Sequence, residues 1–221
     1  MSETPRHRFE TLDSQLLIDA PILAVRRDTV TMPGGGTAKR EIVEHFGAVA
    51  VVAVNADNEI AMVEQYRHTV GRRLWELPAG LLDIDGESEL IAAQRELVEE
   101  AGVTASNWHV LVDLITSPGF AEEAVRVFYA TDLTIVDKPE GEEEEADMEL
   151  AWVSLDQARA MTLRGEIINS IAISGILAAC EVVDKRAEPR PVTDPFDLRP
   201  TAMASRRRAE GFTPDMKKRT T

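Results

Sequence analysis

Seven residues, Ala48 to Val54, read Ala-Val-Ala-Val-Val-Ala-Val, and this run constrains the fold more than any other part of the chain. It shows neither a polar–apolar alternation nor a helical stripe. Such a valine-rich run fits a strand buried on both faces, so the sheet that contains it must be covered on each side. Asn55-Ala56-Asp57-Asn58 makes a turn, and Glu59 to Tyr66 alternates into a partner strand. Upstream, Ile22 to Arg26 and Asp28 to Met32 are extended stretches broken at Pro33-Gly34-Gly35-Gly36. That glycine run reads as a hairpin turn, because a phosphate-cradling loop needs a following helix start and a Lys-Ser/Thr pair, which is missing. Further strands are expected at Trp75 to Leu77, His109 to Leu114, Val125 to Thr131 and Glu149 to Val153. Helices are expected at Ser88 to Ala101, Leu155 to Met161 and Ile167 to Asp184. The pattern is an α/β core with an N-terminal strand region and a C-terminal helix. It divides the chain into a tail at 1–15, a strand region at 16–45, a core domain at 46–185 and a flexible tail at 186–221.

Charge narrows the function. With 24 Lys and Arg against 39 Asp and Glu, the net charge is -15, which disfavours nucleic acid and anionic membrane as partners. Cys180 is the single cysteine and sits among apolar residues, so a buried inert thiol in a reducing compartment is expected. Met1 to Leu16 has no apolar stretch resembling a signal peptide. Ile167 to Val183 is apolar but interrupted by Asn169, Ser170, Ser174, Gly175 and Glu181, which fits a buried helix rather than a membrane span. The expected location is the cytoplasm.

The acids are concentrated. Glu87 to Glu100 carries Glu87, Glu89, Glu96, Glu99 and Glu100 against Arg95, and Glu140 to Glu149 carries seven acids and no base. Two such segments invite a divalent cation, although an acidic loop is more often a solvated charge run. Ser205 to Thr221 runs the other way, with six bases and two acids, and with Pro200 and Pro214 nearby it reads as flexible.

On a helical wheel, Leu90, Ile91, Gln94, Leu97, Val98 and Ala101 fall in one sector expected to face the core, while Glu89, Glu96, Glu99 and Glu100 lie opposite. Gly102 ends the helix as a left-handed cap. Glu96 and Glu100 are one turn apart, a like-charge pair that destabilises a free helix by roughly 0.2–0.5 kcal/mol. A hard cation would reverse that cost; an exposed acidic face is the alternative.

The surrounding residues decide between them. Leu77-Pro78-Ala79-Gly80 leads through Leu81-Leu82-Asp83-Ile84-Asp85-Gly86 to Glu87, and Arg95-Glu96-Leu97-Val98-Glu99-Glu100-Ala101-Gly102-Val103 follows. This resembles the nudix box, Gly-x5-Glu-x7-Arg-Glu-U-x-Glu-Glu-x-Gly-U with U apolar. From Glu87 onward the match is complete. Gly80 is separated from Glu87 by six residues instead of five, an insertion expected to alter the loop path and not the metal-facing side chains. The resemblance implies the nudix fold, a mixed β-sheet sandwiched between helices, and hydrolysis of nucleoside diphosphates linked to another group. It implies Mg²⁺ as cofactor, with Mn²⁺ as a possible substitute. Glu96 and Glu100 would be the principal ligands, Glu99 a further ligand or a water holder, and the Ala79 carbonyl a main-chain ligand. Arg95 would orient the glutamates and Glu87 would brace the loop.

Beyond the box, Pro118 lies 15 residues after Val103, and Gln65-Tyr66-Arg67-His68 precedes Leu74-Trp75-Glu76-Leu77-Pro78. These, with Arg40-Glu41, resemble the bacterial ADP-ribose pyrophosphatase branch of the family, of the actinobacterial type, over residues 15 to 185. That branch implies ADP-ribose as substrate, AMP and ribose 5-phosphate as products, and a homodimer that exchanges N-terminal strands. It makes the acidic loop the source of the catalytic base, Glu145 ahead of Glu144. Arg67 is then a phosphate contact, Arg40 a contact reaching substrate from a second subunit, and Glu76 and Glu123 pocket residues. Trp75 is expected in the core, and His45, His68 and His109 receive no chemistry. Two other readings are hydrolysis of another nucleotide sugar or dinucleotide, and an ADP-ribose-sensing transcription regulator of nudix type. The second needs a helix-turn-helix module, for which the residues after Asp184 are too few and too proline-broken.

Overall fold

A computed structural model describes residues 6–139 and 147–217. Among them, three sheets organise the chain. β1 (Thr11–Asp19), β2 (Ala24–Thr31) and β3 (Thr37–Glu44) form an antiparallel N-terminal sheet. The two extended stretches expected around Arg27 are therefore one strand, and β1 begins inside the segment expected to be a tail. The glycine run is the β2–β3 turn. Met32 N–H donates to the Gly36 carbonyl at 2.8 Å, and Gly34 and Gly35 take φ values of 89° and 90° that disfavour a Cβ.

The central sheet runs β7 (Ala79–Leu81), β4 (Ala48–Ala53), β9 (Ala124–Ile135), β8 (Val103–Ile115), with β4 parallel to β9. Every residue of β4 is buried. Ala48, Ala50 and Val52 face the core under α2 (Leu155–Arg164) and α3 (Ser170–Val183), while Val49, Val51 and Ala53 face α1 (Glu89–Ala101). Each buried valine contributes roughly 1.5–3 kcal/mol, and two-sided coverage is why the run needs no polar positions. β5 (Glu59–Arg67) does not extend this sheet. Both edges of β4 are occupied by β7 and β9, so β5 pairs with β6 (Arg72–Glu76) and β10 (Glu149–Ser154) in a third sheet. At the end of β4 it joins the chain through a Val54–Ile60 bridge and an Asn55 N–H bond to the Glu59 carbonyl. Trp75 packs against the α3-side core, and Cys180 is buried in it, which pushes its thiol pKa up. Among the described residues no helix is long and apolar enough to cross a membrane.

α1 is rotated from the expected wheel. Ile91 and Gln94 are exposed, whereas Ala92, Ala93, Glu96, Leu97, Glu100 and Ala101 are buried. The surface that α1 meets is built from Ala79, Gly80 and the valines of β4. The two alanines allow close approach, and the two glutamates find partners there, so an apolar count placed the helix wrongly. Ser88 caps the start, accepting from Ile91 N–H, and Gly102 closes the end at φ 63°.

The segment expected to be a flexible tail is instead folded over residues 186–217. It includes α4 (Ala202–Ala209), and Met203, Ala204 and Met216 close a small core on Phe46. Arg207 is wholly buried against Asp19 and the Ala20 carbonyl, Arg206 pairs with Glu44, and Arg190 shares Asp113 with the buried Arg126. Arg126 also donates to the carbonyls of Asp194 and Pro195 and lies over the Phe196 ring. Bases that look solvated in composition meet fixed acids on the core, and that complementarity orders the segment.

Candidate active site

The site forms where α1 crosses β7. A Cβ built on Gly80 would lie 1.9 Å from Glu96 Oε1 and 2.0 Å from its Cδ, so only glycine lets the Glu96 carboxylate rest on this strand. One residue earlier, Ala79 N–H donates to Glu100 Oε2 at 2.9 Å. Arg95 ties the acids together. It grips Glu87 with Nε and Nη2, both at 3.0 Å, and donates from Nη1 to Glu96 Oε1 at 2.6 Å and Glu99 Oε2 at 2.9 Å. Burial pushes the Glu96 carboxyl above the usual range. The Arg95 charge opposes that shift, and Glu99 and Asp83 add to it.

These residues fit a hard divalent cation. The donor set of Glu96, Glu99, Glu100 and the Ala79 carbonyl is all oxygen, and negative charge is concentrated where burial makes it costly. Among the described residues no three acid, His or Cys side chains already converge as a metal cage. Arg95 and the Ala79 amide hold the glutamates in the arrangement seen.

A cleft of about 460 Å³ opens beside this crossing, lined by Ala79, Gly80, Arg67, Glu76, Glu123 and His45, among others. A larger concavity of about 730 Å³ lies at the opposite end of β4, around Asn55, Tyr129 and Trp152, and holds none of the box residues. The smaller cleft is the one that Ala79 and Gly80 line, and it is the candidate site. Arg67 and Glu76 form a two-pronged pair at 3.0 and 2.7 Å, with Glu76 buried and Arg67 partly exposed. Glu123 accepts from Thr116 Oγ1 at 2.5 Å. Arg40 lies outside the cleft, exposed on β3 with its Nη1 donating to the Lys39 carbonyl. Glu144 and Glu145 lie outside the described residues. Asp147, the next described residue, pairs with Arg73 on β6.

Two residues of this region had no assigned role in the sequence. His45 lines the cleft with Nδ1 accepting from Gly47 N–H at 3.2 Å, 3.6 Å from Glu123 Oε1. Burial lowers its pKa, against the pull of Glu123, Glu122 and Asp83, so the ring is held towards its neutral form. Its signal was its position just before β4, readable only once Ala48 is known to pair with Leu81. Asp83, 2% exposed, receives Lys217 Nζ at 2.8 Å. The opposite charges of the box and the C-terminal segment were the available clue to that contact.

A strand–glycine contact that seats a helix glutamate, an arginine binding three acids and a mixed sheet between helices together define the nudix class. Residues 44–171 match the NUDIX domain and residues 9–43 match the nucleoside diphosphate sugar hydrolase N-terminal domain. The chain belongs to the NUDIX family. The ADP-ribose pyrophosphatase of Mycobacterium tuberculosis is 56% identical over 201 residues, covering 91% of this chain and 97% of that protein. A methanol dehydrogenase activator of Bacillus methanolicus is 38% identical over 149 residues, covering 67% and 80%. The crystal structure of an ADP compounds hydrolase aligns with a TM-score of 0.71 at 18% identity, over 84% of this chain and 99% of that one, and shares the fold.

Proposed function

We propose that this protein is a metal-dependent ADP-ribose pyrophosphatase that cleaves ADP-ribose to AMP and ribose 5-phosphate. The observation that carries the reading is the Glu96 carboxylate seated on Gly80 beside the Glu100–Ala79 contact, at the wall of a cleft sized for a nucleotide derivative. Likeness to the mycobacterial enzyme over nearly its whole length supports the choice of substrate.

Glu96, Glu99, Glu100 and the Ala79 carbonyl would hold Mg²⁺, or Mn²⁺ in its place. Bound there, the cation supplies charge neutralisation for the pyrophosphate and acidifies a water molecule. Arg95 keeps the glutamates oriented through Nη1, and its two-pronged grip on Glu87 fixes it to the loop. Arg67, steadied by Glu76, would contact a phosphate oxygen from the cleft wall. Glu123 and the His45 ring supply polar groups for the sugar hydroxyls. Glu145, with Glu144 as the competing position, takes the proton of the attacking water.

The homodimer is part of this proposal. β1 is almost entirely exposed and carries Leu12, Leu16, Leu17 and Ile18 on its surface, an apolar strand suited to cover by a second copy. Arg40, on the same sheet, would then face the partner's cleft. The transcription-regulator reading loses support, because Arg206, Arg207 and Arg208 are paired with Glu44, Asp19 and Asp85 and not presented to a phosphate backbone.

A phosphatase-coupled release assay across ADP-ribose, other nucleotide sugars and NADH tests the substrate. ADP-ribose is expected to give the highest kcat/KM; a clear preference for another member of the panel would transfer the assignment to that class.

A further inference from the structure

The segment after α3 closes on the one part of the box that departs from its pattern. The loop from Gly80 to Glu87 is one residue longer than the box specifies, and it forms a short antiparallel bridge with residues 214–216. Asp85 N–H donates to the Pro214 carbonyl at 2.8 Å, Met216 N–H donates to the Asp83 carbonyl at 2.9 Å, and Ile84 pairs with Asp215. Side chains fasten the same loop. Arg208 Nε lies 2.6 Å from Asp85 Oδ1, and Lys217 Nζ lies 2.8 Å from the buried Asp83 Oδ2. Arg199 donates to the carbonyls of Leu82 and Glu87 and pairs with Glu89 in the first turn of α1. Behind the bridge, Met216 is anchored in the cluster with Phe46 and Met203.

We infer that residues 199–217 form a latch that positions the metal-binding glutamates, and that Lys217 is its positioning residue. The inference rests on the reading of Glu96 and its neighbours as metal ligands. The loop that the latch holds begins at Gly80, the seat of Glu96, and ends at Glu87, the anchor of Arg95. Both ends of the lengthened loop therefore determine where the Glu96 carboxylate sits. Asp83 lies within that loop, is 2% exposed, and has the Lys217 ammonium 2.8 Å from its Oδ2. Without the Lys217 ammonium, this buried carboxylate loses its counter-charge, and the loop relaxes away from the strand to solvate it. Partners that orient ligands from behind in this way typically set metal affinity by 10–100-fold.

The test uses the full chain and Mn²⁺ as the probe, with free Mn²⁺ counted by electron paramagnetic resonance and amide exchange followed at residues 82–87. Lys217→Met and Met216→Ser are each expected to weaken Mn²⁺ binding roughly 10-fold and to speed exchange in the loop by a similar factor. Lys217→Arg should stay within about 2-fold of wild type because it keeps the charge. The direction is diagnostic. Lys217→Met makes the site more negative, so a purely electrostatic bystander would bind Mn²⁺ more tightly. Unchanged or tighter binding in Lys217→Met, or unchanged loop exchange in both variants, overturns the latch. Glu96→Gln, measured alongside, separates the two readings. Binding that falls in Glu96→Gln but not in the latch variants sinks the latch alone. Binding that survives Glu96→Gln sinks the metal site, and the latch's role with it.

Discussion

Gly80 and Gly175 each let a helix approach the central sheet closely, from opposite sides, and what they admit differs. On the α1 side, the space a Cβ would take at Gly80 is filled by the Glu96 carboxylate. On the α3 side, a Cβ at Gly175 would lie 2.8 Å from Leu77 Cδ1 and 3.0 Å from Val52 Cγ2. One contact brings charge against backbone and the other brings methyl groups together. The same steric device thus seats a carboxylate of the proposed metal site on one face and packs methyl groups on the other. The α1 interface is expected to hold activity at some cost in stability, and the α3 interface to hold stability with little say in activity.

The sharpest way to break that division is Glu96→Gln. It is expected to lower kcat with ADP-ribose by on the order of 10³-fold while the far-ultraviolet circular dichroism stays native; near-normal turnover would remove the chemical role of the α1 face. Ile176→Ala, in the α3-side core at 0% exposure, should cost roughly 3 kcal/mol in urea unfolding and leave kcat/KM within about 2-fold in native conditions. A large loss of activity at unchanged stability would reverse the comparison. Gly80→Ala displaces the carboxylate and should cost about 10²-fold in kcat, whereas Gly175→Ala should cost about 1–3 kcal/mol of stability. These two glycine variants, measured side by side for turnover and urea midpoint, test the contrast directly.

The smallest effect is a pH dependence. Burial raises the Glu96 pKa above its ordinary 4.5, so the folded state binds this proton more tightly than the unfolded chain does. The stability that this group contributes is present below the ordinary value and is lost as pH rises through the raised one. In chelator, Glu96→Gln should therefore melt slightly above wild type at pH 7, and the gap should close as pH falls below about 4.5. Calorimetry that finds the variant less stable at pH 7 would mean that Arg95 outweighs the cost of burial.

Much of this organisation was legible in local pattern. Ala48 to Val54 shows its two-sided burial because each face of β4 is apolar, and the box shows itself because spacing along a helix survives any rotation of that helix. The rotation itself was not legible. Ile91 looks like core and is 56% exposed, while Glu96 looks like surface and is 8% exposed, because the partner surface contains a glycine and a backbone amide that a wheel cannot include. Pairing choices failed similarly. Glu59 to Arg67 follows β4 by a tight turn, yet the ladder positions beside β4 belong to β7 and β9, which come from far along the chain.

The two ends of the chain show the same limit. β1 carries exposed leucines and the C-terminal segment carries the wholly buried Arg207, the reverse of what hydrophobicity alone would place. The sequence by itself determined the buried strand, the extent of α1 with its Gly102 cap, and the order of the acids and Arg95 in the box. These depend on residues a few positions apart, whose geometry the backbone sets. Only the tertiary structure decided that Glu96 rests on Gly80, that Arg67 and Glu76 pair in the cleft with His45, and that Lys217 reaches Asp83. Each of these depends on how separate elements meet, and a charge reveals its role only when its counter-charge has a position.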